Sequence, residues 1–276
     1  MRQIQHYLPN PRHTELNLIF VKRNILLSLF IGLIVLSEYP GFSQPAETRQ
    51  HRISASFLQT RESLNHGLVF RGPGIDYGFA YPWHTRNRTI RYEAAFGFNY
   101  LEGRGIAAGN LHAVPVRLTY LFHASDDSKL RYGPFVIGEY QYALYPDLQS
   151  GYSFWFTHFS LGCEMNYDLR VAKTPFKVRL RSTVLGYSSR PPVYRDAYFF
   201  DLGFGYAIDF LHSNLQFGSW NKYNQSELEI RWQLRANSRI NWAYALQYAG
   251  YYDAPRLTML DQAIKIIILP KRKRHE

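Results

Sequence analysis

IRYEAAFGFNYL, at residues 90–101, is the stretch that decides the fold, because apolar side chains occupy every even position. The odd positions hold two charged residues, two small residues, an asparagine and a final leucine. A period of two is the repeat of a β-strand, whose successive side chains point to opposite faces of its sheet. The stretch therefore predicts a strand with one apolar face and one largely polar face.

The same alternation recurs along most of the chain. Its clearest repeats lie at residues 198–211, 227–235 and 240–248. Less regular patterns lie at residues 75–83, 111–123, 131–144, 153–169, 176–187 and 257–269. Two weak patterns lie at residues 51–60 and 215–221. In up-and-down order these segments predict an all-β, antiparallel barrel of twelve strands. Ten strands remain the alternative, because the two weak segments can be loops.

The predicted connections differ between the two ends of the strands. Those at residues 127–129, 172–174 and 236–238 are short and polar, as tight turns are. Those at residues 101–110, 145–152 and 188–197 are longer and rich in glycine or proline, which predicts loops. Two prolines, Pro115 and Pro134, stand inside predicted strands and remove backbone donors there. We interpret them as bulges or local kinks.

Alternation alone does not determine which face is inside. A soluble sandwich or lipocalin-like barrel buries its apolar face, whereas a membrane barrel turns that face to lipid. Several predicted strands run to about 11–14 residues, beyond the usual 5–6 or so of soluble domains, and long enough to cross a bilayer at a tilt. Aromatic residues recur near strand ends, as in interfacial girdles: Tyr81, Trp83, Tyr100, Tyr142, Trp232, Trp242 and Tyr248. These features predict a transmembrane barrel, with membrane lipid as its partner.

The polar face predicts the contents of the lumen. Acidic and basic residues fall on it in nearly equal numbers, which indicates ion pairs, because an unpaired buried charge is costly. We expect a polar network of Glu139, Glu164, Asp168, Lys177, Arg179, Arg181, Asp201, Asp209, Glu227, Glu229 and Arg231. The basic residues at 177, 179 and 181 share one face. They form either a ladder of ion pairs that closes the barrel or a basic constriction that selects anions.

Residues 21–43 predict a cleaved secretory signal. Lys22 and Arg23 precede the apolar run ILLSLFIGLIVL, and small residues Gly41 and Ser43 stand at the −3 and −1 positions of a cleavage site after Ser43. Residues 1–20 fit no part of such a signal, and we interpret them as a mis-annotated extension, with translation starting at Val21. The exported barrel then occupies residues 44–270.

Composition excludes several classes of protein. A single cysteine rules out a disulfide framework and a cysteine-based metal site, and we expect no metal and no cofactor. An aromatic content of 17% excludes a disordered chain. The net charge of +11 includes a basic tail at residues 271–276. We interpret this tail as solvated and expect no nucleic-acid partner, because an exported chain rarely meets nucleic acid.

Two stretches resemble a known family: GYSFWFTHFSLGCEMNYDLR at residues 151–170 and VRLRSTVLGYSSRPP at residues 178–192. Together with the signal and the length of the barrel, they are similar to uncharacterised outer-membrane β-barrel proteins of Bacteroidota. The resemblance is one of pattern and not of a catalytic motif. It implies an outer-membrane location and no activity.

Three functions follow from these observations. The first is a structural or narrow-pore role with a charge-paired lumen, and the second is binding or assembly through outward loops at residues 101–110 and 188–197. The third is lipid hydrolysis, because His158 and Ser160 resemble the His-x-Ser of outer-membrane lipid A deacylases, in which histidine activates the serine. Leu161 stands where that family has asparagine, and the alternation points both side chains into the lumen, away from lipid. We therefore expect no enzyme activity.

Overall fold

The computed structural model describes residues 49–63, 67–85, 87–123, 128–145, 152–171, 174–190, 211–233 and 239–269. The chain divides into a unit of residues 1–46 and a unit of residues 47–276, and all the described residues belong to the second. The predicted extension, signal and basic tail lie outside the described residues. None of the helices in this described part has the length and apolarity needed to cross a membrane.

The second unit is built from long antiparallel strands. Their bounds are β1 Gln50–Glu62, β2 Val69–Thr85, β3 Arg88–Gly103, β4 Ile106–His123, β5 Leu130–Tyr145, β6 Tyr152–Val171, β7 Thr174–Ser189, β8 Gln216–Ser219, β9 Tyr223–Trp232, β10 Ile240–Tyr251 and β11 Leu257–Ile268. Apart from the short β8, they have 10 to 20 residues. Such lengths suit tilted strands that cross a bilayer, which need about 9–11 residues.

The sheet closes on itself through ten strands. Strands β1 to β7 pair in sequence order, β7 pairs with β9, and β9, β10 and β11 lead back to β1. Ten is the smaller of the two counts that the sequence allows, and among the described residues the short β8 is an additional strand outside the closed ring. The weak segment at residues 51–60 is a full barrel strand, whereas the one at 215–221 gives only β8, which pairs with the last part of β7. The predicted strand at 198–211 lies almost wholly outside the described residues.

The two strand prolines act differently. Beside Pro115 the register between β4 and β5 shifts between Ala113 and Val116, which is the predicted bulge. Pro134 leaves the register with β6 unchanged, pairing with Cys163. The irregularity is therefore local in both cases, and the barrel topology passes through each.

One predicted loop is wrong. Residues 101–110 are almost entirely strand, because β3 and β4 are joined by Arg104 and Gly105 alone. Both have positive φ, 51° and 77°, as a tight two-residue hairpin turn requires. The glycines on either side belong to the strands, and Gly103 lies directly against Phe70. The segment is therefore too short to serve as a binding loop.

Burial alternates along the strands as the sequence predicts. On β3, Glu93 is 2% exposed while Phe96 and Phe98 are 56% and 46% exposed. On β6, Leu161 and Met165 point outward, whereas Glu164 is buried. Polar side chains thus fill the barrel, and large apolar side chains cover its outer wall.

Candidate functional site: the barrel lumen

A cluster of ion pairs fills the middle of the lumen, and Arg181 lies at its centre. Its guanidinium donates hydrogen bonds to Glu164 at 2.7 Å and to Glu227 at 3.0 Å. It also donates to Glu93. These carboxylates come from β6, β9 and β3, so one arginine of β7 connects four strands across the barrel. Each of the four side chains is at most 7% exposed.

Further cations surround the same carboxylates and Glu229. The pairs are Arg52–Glu93 at 3.0 Å, Arg91–Glu164 at 2.6 Å, Arg117–Glu227 at 3.5 Å, Arg179–Glu229 at 3.2 Å, Arg231–Glu229 at 3.2 Å, Lys265–Glu227 at 3.2 Å and Lys265–Glu229 at 3.0 Å. Each of these four carboxylates has at least three cationic side chains within 4 Å. A buried carboxylate is tolerated only when it is paired and hydrogen-bonded, and this network meets that condition.

A second polar layer is centred on Glu139, which is fully buried. Its two carboxylate oxygens accept hydrogen bonds from the side-chain amides of Gln141 and Gln225, both at 2.7 Å. The imidazoles of His112 and His158 lie 3.3 Å and 3.2 Å from the same carboxylate. Four polar groups therefore surround one fully buried carboxylate.

An apolar layer occupies the end of the lumen near the Arg104–Gly105 turn. Its members are buried and in contact: Leu58, Phe70, Leu101, Ala108, Tyr145, Phe156, Tyr223, Ala249, Tyr251, Leu257 and Met259. Above it Arg190 donates a hydrogen bond to Glu62, and the guanidinium lies 5.7 Å from the ring centre of Phe156 and 5.6 Å from that of Tyr251. An ion pair thus covers the apolar layer.

Cavities in the lumen are small. Those between the described strands have volumes of about 80, 30 and 20 Å³, and a water molecule takes about 30 Å³ in the liquid. The two larger ones share Asp76, His112, Gln247 and Asp261 in their walls. Each of these three cavities is far below the roughly 300–1,000 Å³ of small-molecule sites.

The structure brings His158 and Ser160 together. The serine Oγ lies 3.4 Å from Nδ1 of His158, and Nε2 lies 3.2 Å from Glu139 and 3.0 Å from the hydroxyl of Tyr223. This series of serine, histidine and carboxylate has the order of a hydrolytic triad. However, His158 is fully buried and Ser160 is 5% exposed, and the three lumen cavities are lined by other residues. As the alternation predicts, both side chains point into the lumen, where Ser160 has no space for a substrate.

Other predicted site residues lie at the edge of the network or outside the described part. Lys177 lies 3.6 Å from Asp168, and their side chains are 35% and 42% exposed. Arg131 also bonds Asp168, so these three form a separate rim cluster. Across β6 and β7, Arg181 lies opposite Glu164 and Lys177 lies opposite Asp168. Asp201 and Asp209 lie outside the described residues. Within the described ranges, no three His, Cys, Asp or Glu side chains gather as metal ligands do.

Several lumen residues were not predicted. Arg52 and Glu62 belong to β1, which the sequence presents only as a weak strand, although its even positions are polar and buried throughout much of its length. Arg190 falls in the loop predicted at residues 188–197, and Tyr223 falls between the segments predicted at 215–221 and 227–235. Strict use of the alternation finds Arg52, whereas Arg190 and Tyr223 depend on where strands end, which the pattern does not show.

Fold and lumen together define a closed ten-stranded antiparallel barrel with an ion-paired interior and an apolar exterior. Comparison with protein-family models and with curated protein sequences gives no match. Among solved structures, the chain is similar to the translocator domain of the autotransporter NalP from Neisseria meningitidis, with 10% identity, a TM-score of 0.41, and coverage of 90% of this chain and 97% of that one. The outer membrane protease OmpT from Escherichia coli has 5% identity and a TM-score of 0.42, covering 84% and 99%. The toluene transporter TbuX from Ralstonia pickettii has 11% identity and a TM-score of 0.33, covering 85% and 93%. Values this low transfer no activity to the chain.

Proposed function

We propose that this chain is an integral outer-membrane β-barrel with a structural role, whose lumen is sealed in the resting state. The observation that carries the proposal is a filled lumen inside an apolar wall. Glu93, Glu139, Glu164 and Glu229 are each at most 2% exposed and each has several partners across the barrel.

The outer wall supports the membrane location. Large apolar residues are 38% to 69% exposed on it, among them Ile75 at 69%, Phe96 at 56% and Ile264 at 54%. Soluble monomers rarely expose contiguous apolar patches beyond a few hundred Å², because such surface is costly to hydrate. A barrel with an apolar exterior and a polar interior is the arrangement of transmembrane barrels.

The lumen supports a closed barrel rather than a pore. Open aqueous channels come with about 16–18 strands, and ten strands leave space that the side chains of the network fill. The basic residues Arg179 and Arg181 are paired with carboxylates, so they do not present free charge to a passing anion. Among the two predicted roles of this basic face, the ladder that closes the barrel is the better supported.

Catalysis is not part of the proposal. Ser160 lies inside the barrel, separated from lipid by the wall and buried below the apolar layer. A lipid hydrolase must present its nucleophile to its substrate, and the described residues offer Ser160 no such access.

Conductance in planar bilayers tests the proposal. Folded protein is identified first by gel migration that changes on boiling, and the same preparation is then inserted at low and high protein-to-lipid ratios. The sealed lumen predicts no steady current at either ratio, with an open porin in the same chamber as the positive control. A stable current that rises with the number of inserted barrels and reverses selectivity in Arg179→Glu would contradict the sealed barrel and favour an anion pore.

A further inference from the structure

The barrel wall is interrupted between β7 and β9. Ser182 pairs with Ser226, and the next paired residues are Leu185 and Ser219, which belong to β7 and β8. Two residues of β7 thus face six residues, 220–225, of the other chain segment. Thr183 bridges the gap, because its hydroxyl accepts a hydrogen bond from the backbone N–H of Gln225 at 2.9 Å. The indole N–H of Trp220 donates to the carbonyl of Thr183.

A groove lies on the outer wall next to this interruption. Its volume is about 720 Å³, within the range of roughly 300–1,000 Å³ that small-molecule sites have. Its sides are bulky apolar residues: Phe122, Tyr132, Met165, Leu180, Leu228, Leu246, Tyr248 and Leu260. The rest of its lining consists of the smaller Gly133, Pro134, Cys163, Ser182 and Ser226, together with the buried Glu164, Arg181 and Glu227 of the lumen network. The contrast between large and small side chains makes this part of the wall concave.

Two hydroxyl groups line one end of the groove, and the side chain of Asn224 lies next to them, outside the lining of the groove. The hydroxyls of Ser182 and Ser226 lie 3.1 Å apart, and Ser226 donates a hydrogen bond to the side-chain carbonyl of Asn224 at 3.1 Å. All three are half-buried and point outward from neighbouring strands. Along β9 the outward residues change from Ile230 and Leu228 to Ser226 and Asn224, so the groove is apolar at one end and hydrogen-bonding at the other.

We propose that this groove is a binding site for one lipid molecule, with an acyl chain along the apolar sides and its ester against Ser182, Ser226 and Asn224. The proposal rests on the proposed membrane location, which supplies the lipid. Acyl chains are flexible and slender enough to follow a concave groove. A second copy of the chain would present a convex wall there. The ester and glycerol oxygens of a lipid match the hydroxyl and amide groups at the polar end, whereas a bulk hydrocarbon chain satisfies none of them.

Cys163 provides the test, because it is the single cysteine of the chain and lies exposed in the groove. The rate of its modification by a small methanethiosulfonate is measured in detergent micelles with increasing amounts of a 16-carbon lysophospholipid. The matched control is Cys163→Ser with Ala55→Cys, which places a thiol at another small, outward position on β1. Specific binding predicts that the modification rate at Cys163 falls to a plateau as lipid is added. The rate at position 55 should fall only as far as dilution of the reagent by added lipid requires.

A second variant tests the polar end. Ser182→Ala with Ser226→Ala removes the hydroxyls. This double variant should raise the half-saturating lipid concentration by about 3- to 10-fold, since a hydrogen bond contributes roughly 0.5–1.5 kcal/mol.

Equal slowing of modification at both thiol positions would show non-specific lipid contact and overturn the proposal. Slowing that depends on protein concentration without added lipid would assign the groove to a second copy instead, and also overturn it. Gel migration of each sample, with and without boiling, reports separately whether the barrel is folded, so failure of the groove is distinguishable from failure of the membrane barrel.

Discussion

Replacement of Arg181 by leucine probes the lumen network most deeply. Its guanidinium bonds three buried carboxylates on three other strands. Removal of one partner from a buried ion pair costs about 3–5 kcal/mol, because a charge is left without compensation. Each of the three carboxylates keeps at least two other cations within 4 Å, so we expect a loss of about 3–5 kcal/mol in the free energy of unfolding, and not a multiple of it.

The assay is urea unfolding of the folded barrel in lipid vesicles, followed by tryptophan fluorescence and by gel migration. Arg131→Leu is the matched control, because Arg131 pairs with Asp168, whose side chain is 42% exposed. Such a pair contributes roughly 0–1 kcal/mol. A double variant, Arg181→Leu with Glu164→Leu, should be no more stable than Arg181→Leu alone, since Glu164 keeps Arg91 and Arg179 as partners and its removal takes a carboxylate from both. Equal losses for Arg181→Leu and Arg131→Leu would refute the reasoning.

Two further predictions concern the turn and the serine. Gly105→Val should lower the free energy of unfolding by about 1–2 kcal/mol or more, because φ is 77° there and a side chain disfavours that conformation. Arg104→Gly, at φ 51°, should cost little in the same unfolding assay. A larger loss for Arg104→Gly than for Gly105→Val would contradict the assigned turn conformation. Ser160→Ala should leave the lipid species of the membrane unchanged in mass spectrometry, because Ser160 faces the lumen; loss of a deacylated species in that variant would restore the hydrolase hypothesis.

The face of each residue could be predicted from the sequence, because the period of two is strict over most strands. Alternation puts Glu164 and Arg181 on the polar faces of their strands, and the structure pairs them directly across β6 and β7. Alternation does not reveal how far a strand extends, however. Residues 101–110 contain five glycine or alanine positions that suggest a loop, yet they continue β3 and β4 around a two-residue turn.

The partners across the lumen could not be predicted, because they depend on barrel size and strand stagger rather than on sequence neighbours. Arg181 contacts Glu93, which is 88 residues away in the chain. The apolar layer was missed for a related reason. Phe70, Leu101 and Phe156 point inward among polar positions, and although alternation puts Leu101 and Phe156 on the lumen face, it does not show that they meet in one packed layer. The interruption between β7 and β9 could not be predicted from the alternation either, since it arises where residues 183–184 lie opposite residues 220–225.

The most direct test of the central claim, a closed membrane barrel with an apolar exterior, is fractionation of cells that express the tagged protein, followed by gel migration with and without boiling. A closed barrel in a membrane predicts recovery in the outer-membrane fraction and faster migration of the unboiled sample. Recovery in the soluble fraction, with identical migration of both samples, would contradict the account, because the exposed apolar residues would then have to be covered by something other than lipid.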